Sequence, residues 1–298
     1  MLDLSIIIVN YNTKEFLKNC LTSILSSIDG KLNYEVIVVD NCSSDNSSEM
    51  VRKEFPKVKL IANKNNVGFS KANNQGVKIS QKSRYVLFLN PDTIMQKNTI
   101  EKMVEFMDEN KGVGAATCKL VMLNGQIDDA SHRGFPTPWN AFSHFLGLSR
   151  IFPKLRIFAG YHLGWMNLEE VHEVDALAGA FMLVRREAGE EVKWWDEDYF
   201  FYGEDIDFCY ELKQKGWKIY YVPAVFVTHY KGVSGGIKKV SKEITTAKKE
   251  TKKRATKWRF NAMRIFYKKH YEKKYPRLLS WLVLKAINIK LHFALKNL

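Results

Sequence analysis

Residues 4–40 read LSIIIVNYNTKEFLKNCLTSILSSIDGKLNYEVIVVD. Two β-branched runs, at 4–9 and 35–40, flank a segment at 13–27 whose apolar side chains recur at helical spacing. Runs that short and that apolar fit strands buried on both faces, the condition of a parallel sheet. The alternation continues: 58–62 and 85–89 are strand-like, 44–55 and 69–80 helix-like. Thr13 and Ser44 are placed to cap their helices. This pattern predicts an α/β fold, an open, mostly parallel sheet with flanking helices. Ligands in such sheets bind beyond the carboxyl ends of the strands, so chemistry is expected at residues 10–12, 40–42 and 90–92.

Residues 124–172 look loop-rich, 174–184 strand-like and 204–215 helical, with short strands at 218–222 and 225–229 around Pro223. A long basic helix is expected over 238–274, then an amphipathic stretch after Pro276. The 298 residues are 46% hydrophobic and 13% aromatic, which excludes wholesale disorder. Four cysteines stand far apart with no CxxC pair, so neither a zinc knuckle nor a disulfide framework is expected, and reduced thiols suit a cytoplasmic protein. The N-terminus lacks a basic region and reads as a first strand, not a signal peptide. No apolar run is expected to span a membrane, because Lys285, Asn288, Lys290 and His292 interrupt the nearest, at 278–295.

Net charge is +14, unevenly spread. Residues 1–230 sum to −3, residues 231–277 to +14, and residues 278–298 add three lysines. Such asymmetry predicts an anionic partner for the tail.

Several strand ends carry reactive groups. The loop after the first strand has neither GxGxxG nor a P-loop, so a nucleotide would be held by side chains and a metal. Asp40 can accept hydrogen bonds from a base or ribose, or can serve as a turn residue. Asn65, Asn66 and Gly68 form a polar loop that alone reads as a turn with a cap. Asp92, in Asn90-Pro91-Asp92, can hold a divalent cation against a diphosphate, although such a segment also suits a proline turn. Glu204, Asp205 and Asp207 crowd three carboxylates into four residues, and an acid of raised pKa suits a general base. The aromatics before them, Trp195 included, can pack on sugar faces or fill the core. His229 closes a strand and could supply a nitrogen ligand, favouring manganese somewhat over magnesium.

Together SIIIVNYN, VIVVDNCSSDNS, NNVGFSKANNQG, LFLNPDT, DALAGAFMLVRRE, WWDEDYFFYGEDIDFCYELKQKG and VTHYKGVS resemble, in order over residues 3–235, the family 2 inverting glycosyltransferases of GT-A fold, particularly their rhamnosyltransferase-like branch. The resemblance implies a catalytic domain at 1–235; the basic, amphipathic helical C-terminal extension at 236–298 is read from its charge and apolar pattern. It implies a nucleoside-diphosphate sugar (dTDP- or UDP-linked) held around Asn10, Asn12, Asp40, Asn66, Gly68, Asn90, Asp92 and Gly179. Asn90-Pro91-Asp92 stands where the family has its DxD motif, leaving Asp92 and His229 to bind Mg²⁺ or Mn²⁺. Asp205 matches the catalytic base, with Glu204 beside it and Asp207 helping to orient the acceptor; Trp195 joins the acceptor site only as an aromatic able to pack on a sugar face. Ala178, Gly179 and Ala180 match a stretch lining the donor and acceptor pocket.

The implied reaction moves a sugar, with rhamnose favoured, to a glycan or lipid-linked glycan in cell-surface polysaccharide assembly. Basic residues of 231–277, interleaved with Trp258, Phe260, Phe266, Tyr267 and Tyr271, suggest peripheral docking on an anionic membrane at its inner face. A sugar-phosphate nucleotidyltransferase would need a basic, glycine-rich first loop, which is absent. A nucleic-acid-binding module would leave the acid cluster without a purpose.

Overall fold

The computed structural model describes residues 2–28, 30, 32–237 and 245–297. Its first half follows the apolar pattern: β1 (Leu2–Asn10), α1 (Lys14–Ser27), β2 (Tyr34–Asp40), α2 (Ser47–Glu54), β3 (Lys59–Ala62), α3 (Phe69–Ile79) and β4 (Ser83–Leu89). β1 pairs in parallel with β2 and β4, and β2 with β3. Alternation along β1 explains why both faces are apolar. Ile6 and Ile8 join Leu17 and Leu21 of α1 in one buried cluster, whereas Ile7 and Val9 join Ala72 of α3 in another. Helices therefore cover both faces and leave the carboxyl edge open.

The second half adds β5 (Thr93–Met95), α4 (Thr99–Glu109), β6 (Val113–Val121), α5 (Pro138–Phe145), α6 (Leu148–Ile151), α7 (Arg156–Ala159), β7 (His172–Glu173), β8 (Phe181–Arg185), α8 (Arg186–Glu191), α9 (Glu204–Gln214), β9 (Lys218–His229), α10 (Lys249–His270) and α11 (Arg277–Lys296). Among the described residues the nine strands form one open sheet in the order β3-β2-β1-β4-β8-β6-β9-β5, with β7 on β9. β8 runs antiparallel to both β4 and β6, so the sheet is mixed.

Several local expectations change. Neither predicted cap forms: Thr13 Oγ1 donates to Asn10 Oδ1 at 2.6 Å, and α2 starts three residues after Ser44, behind left-handed Asn46. The strand expected from 174 starts at Phe181. The two short strands around Pro223 are one, β9, because the register with β6 slips between Val222 and Phe226 and gives the proline, which has no N–H, a place outside the ladder.

The C-terminal helices fold back on the body. Ala262, Phe266 and Tyr267 of α10, and Tyr271 just after it, are buried with Tyr199 and Tyr210; Phe260 is buried as well, and Trp258 stacks on Phe200 with centroids 4.3 Å apart. These aromatics were expected to face lipid; they pack on protein instead. Residues 238–244 of the expected basic helix lie outside the described residues. α11 rests on α10, with Tyr267 donating to Ser280 Oγ at 3.0 Å. It has an 18-residue window of mean hydropathy 1.5, of which 11% is buried. By length and composition it is sufficient to cross a membrane, contrary to the sequence expectation, because its few polar breaks do not offset its leucines and isoleucines.

Candidate active site

A cavity of about 1420 Å³ opens beyond the carboxyl ends of β1, β4 and β9. At one end, β5 pairs antiparallel with β9 so that Thr93 faces His229, bringing the preceding Asp92 alongside. His229 Nε2 lies 3.5 Å from Asp92 Oδ1. Its Nδ1 lies 3.0 Å from Asp128 Oδ2, and Lys231 Nζ donates to Asp128 Oδ1 at 2.6 Å. All three of Asp92, Asp128 and His229 are buried. Burial opposes a charge on His229, but Asp92 and Asp128 outweigh it and raise its pKa to about 9. Burial likewise opposes ionisation of Asp128, yet His229 and Lys231 hold it well below the usual carboxylate range.

The arrangement fits a cation. A separation of 3.5 Å is too long for a good hydrogen bond, so Nε2 of His229 is a buried nitrogen without a hydrogen-bond partner. With one ring nitrogen held by Asp128 and the other beside Asp92, the imidazole is oriented as a histidine ligand usually is, and a bound cation would replace the proton that its raised pKa places on it. Asp92 and His229 are therefore the residues that could hold a divalent ion. Asn90 lines the same cavity without charge.

At the other end, Tyr202 (φ 72°) and Gly203 (φ 82°) turn the chain through two left-handed residues, and α9 starts at once with its acids. Arg133 Nη2 donates to Asp205 Oδ2 at 2.6 Å, and the Ile206 amide donates to Asp205 Oδ1 at 2.8 Å. Each oxygen keeps a lone pair for a further proton donor. Glu204 is buried with Oε2 unpartnered; burial, then the Asp205 charge, pushes its pKa up to about 8. Burial opposes the Arg133 charge, but Asp205 more than compensates and keeps the guanidinium ionised. The two ends thus combine a cation-ready pocket with an oriented carboxylate.

Asn66, Gly68, Asn90, Asp92, Gly179, Glu204, Asp205 and His229 all line this one cavity. Gly68 is required as glycine, since φ is +90° and a Cβ would lie 2.8 Å from the Phe200 carbonyl oxygen. Gly179 is less constrained, because an added Cβ would meet only ordinary contacts. Asn10, Asn12 and Asp40 are not among the lining residues; Tyr11 and Asn41 are. Asn10 Nδ2 donates to Asp40 Oδ1 at 2.8 Å, the Ser43 amide to Asp40 Oδ2 at 3.1 Å, and the Ser44 amide to Asn12 Oδ1 at 2.7 Å. These side chains are used in tying the loops after β1 and β2 together.

Both acceptor assignments are corrected. Trp195 is 2% exposed, stacked on Phe208 with centroids 4.9 Å apart and edge-on to Phe88; it is core. Asp207 is not among the cavity's lining residues and holds α10, accepting from Lys269 Nζ at 2.9 Å and His270 Nε2 at 2.6 Å. Asp207, Glu211 and His270 lie close enough to share an ion, but the Lys269 ammonium already lies 2.9 Å from Asp207 and 3.4 Å from Glu211. Sequence reading missed Arg133, Asp128 and Lys231. The available signals were the acid pair Asp128-Asp129 after β6 and a lysine two residues beyond His229.

Comparison with known proteins sharpens this picture. Residues 5–165 match the family model described as Glycosyl transferase family 2. The chain is 29% identical over 233 residues to Rhamnosyltransferase WbbL of Escherichia coli (strain K12), covering 76% of this chain and 82% of that protein. It is 26% identical over 243 residues to the N-acetylglucosaminyl-diphospho-decaprenol L-rhamnosyltransferase of Mycobacterium tuberculosis (strain H37Rv), covering 78% of each. In fold it is similar to S. aureus TarS 1-349, with a TM-score of 0.54 and 16% identity over 91% of this chain and 73% of that one. A second likeness is to GalNAc-T7 with UDP, GalNAc and Mn²⁺, with a TM-score of 0.57 and 16% identity over 77% of this chain and 44% of that one.

Proposed function

The chain belongs to glycosyl transferase family 2, and from that premise we propose that it is an inverting, divalent-cation-dependent rhamnosyltransferase. The donor is a nucleoside-diphosphate sugar, dTDP- or UDP-linked, and the acceptor a hydroxyl of a glycan or lipid-linked glycan at the inner face of the cell membrane. The names of the two curated relatives support rhamnose, and the second supports a polyprenyl-linked acceptor. The observation that carries the reading is that Asp92, His229 and Asp205 line one cavity.

The reaction follows from what those groups can do. Asp205, its Oδ2 fixed by Arg133, takes the proton of the acceptor hydroxyl as that oxygen attacks the anomeric carbon. The new carbon–oxygen bond forms as the bond to the diphosphate breaks, and the electron pair leaves with the phosphate oxygen. A Mg²⁺ or Mn²⁺ held by Asp92 and His229 would neutralise that leaving charge as a Lewis acid. Lys231 and Arg133 supply fixed positive charge in the same cavity. Glu204, kept protonated near neutral pH by its buried position, does not compete with Asp205 for the proton. Residues 1–235 would carry these groups, with 236–298 as the basic extension.

The test is release of nucleoside diphosphate from a panel of nucleotide sugars with Mn²⁺ and an undecaprenyl- or decaprenyl-diphosphate-GlcNAc acceptor. Asp205→Asn should bind donor as the native chain does and lose turnover by about 10²-fold or more. Native turnover in that variant would remove Asp205 from its role.

A further inference from the structure

Among the described residues 18 large apolar side chains are exposed, and 13 of them fall in two segments, 139–157 and 278–293. Ile151 and Ile157 are 66% and 61% exposed, and Leu278 and Trp281 are 71% and 54%. A soluble chain rarely leaves so much apolar surface together without a use for it. The two segments meet where Lys290 of α11 lies over the Phe145 ring of α5, 3.6 Å from its centroid. Both also supply the outer lining of the active cavity, through Trp139, Phe142 and Phe145 on one side and Leu282, Val283 and Ile287 on the other.

Charge identifies the occupant. Residues 130–168 and 273–298 contain no Asp or Glu, yet they include Arg150, Lys154, Arg156, Lys285 and Lys290. Apolar side chains fringed mainly by cations complement a layer that is hydrocarbon within and anionic at its surface. Helix α10, the most basic element, is not the apolar contact, because its Phe266 and Tyr267 are buried with Tyr210 of α9 and its Trp258 stacks on Phe200. We propose that α5–α7 and the outward face of α11 together dock on an anionic lipid bilayer, ringing the mouth of the active cavity. This deepens the lipid-linked acceptor reading and rests on it only for its purpose: the acceptor's diphosphate would enter the cavity while its hydrocarbon stayed in the bilayer.

Sedimentation of the full chain with vesicles of equal parts phosphatidylglycerol and phosphatidylcholine tests the surface. Ile151→Asp/Ile157→Asp, two positions outside the cavity lining, should weaken binding about tenfold or more. Lys257→Gln/Lys268→Gln, exposed on α10, should change it by no more than about twofold. Circular dichroism and vesicle-free hydrolysis of dTDP-rhamnose should match the native chain in both variants. Native-like sedimentation of the isoleucine variant, loss confined to the α10 variant, or equal binding to pure phosphatidylcholine would overturn the proposal. Absence of donor turnover in the native chain would instead count against the functional reading and leave the sedimentation result intact.

Discussion

Replacing Asp207 by asparagine should lower the free energy of unfolding by about 3 kcal/mol. The carboxylate is 1% exposed and accepts from Tyr199 Oη at 3.1 Å, Lys269 Nζ at 2.9 Å and His270 Nε2 at 2.6 Å. Removing one partner of a buried ion pair costs about 3–5 kcal/mol, because the remaining charge is left uncompensated. Two facts place this site at the low end. The Lys269 side chain is 34% exposed and keeps Asp196 at 2.8 Å, and an asparagine oxygen can still accept one bond. Urea unfolding of the native chain, Asp207→Asn, Lys269→Met and the double variant would measure the loss. The cycle should return a coupling of about 1–2 kcal/mol. A loss below about 1 kcal/mol, with the Michaelis constant for acceptor raised instead, would refute the fastening role and return Asp207 to the acceptor site.

Glu204→Gln probes the buried acid next to the proposed base. Its raised pKa means the folded chain holds a proton that the unfolded chain releases, so this stabilisation is complete below the ordinary glutamate range and is lost as pH rises towards about 8. The native melting temperature should therefore fall across that window relative to Glu204→Gln; parallel curves would mean the carboxyl is hydrated. Asp92→Ala should weaken Mn²⁺-dependent donor binding, measured by calorimetry, by about tenfold or more. Equal affinity in the native chain with and without chelator would remove Asp92 from cation binding.

The parallel half of the sheet was readable because its strands are buried on both faces and so appear as unbroken apolar runs. Asp92 and His229 were readable for a related reason: both stand at strand ends, where side chains face the open edge. Asp128 was not, since it is delivered by the turn beyond β6 and nothing in its neighbourhood names a partner 101 residues away. Asn10 and Asp40 have the right types at the right edge, but paired strands put them side by side, and they satisfy each other. Trp195 is read from residue type and Asp207 from the family motif, and neither can tell an exposed ring or acid from one covered by later helices. The same ambiguity affects α10, where an apolar stripe that could meet lipid meets α9.

The place of α10 has a consequence for the choice between two nucleophiles. Trp258, Ala262 and Phe266 form part of the cavity wall, and a Cβ on Gly203, just before Glu204-Asp205, would lie 2.9 Å from that of Ala262. Without that wall, water would have freer access to Asp205, the proposed base, and hydrolysis of the donor would compete with transfer. The compositional change at 235 is therefore no boundary of the cavity: on the proposed reaction, the last helices would favour transfer of the glycosyl group over its loss to water.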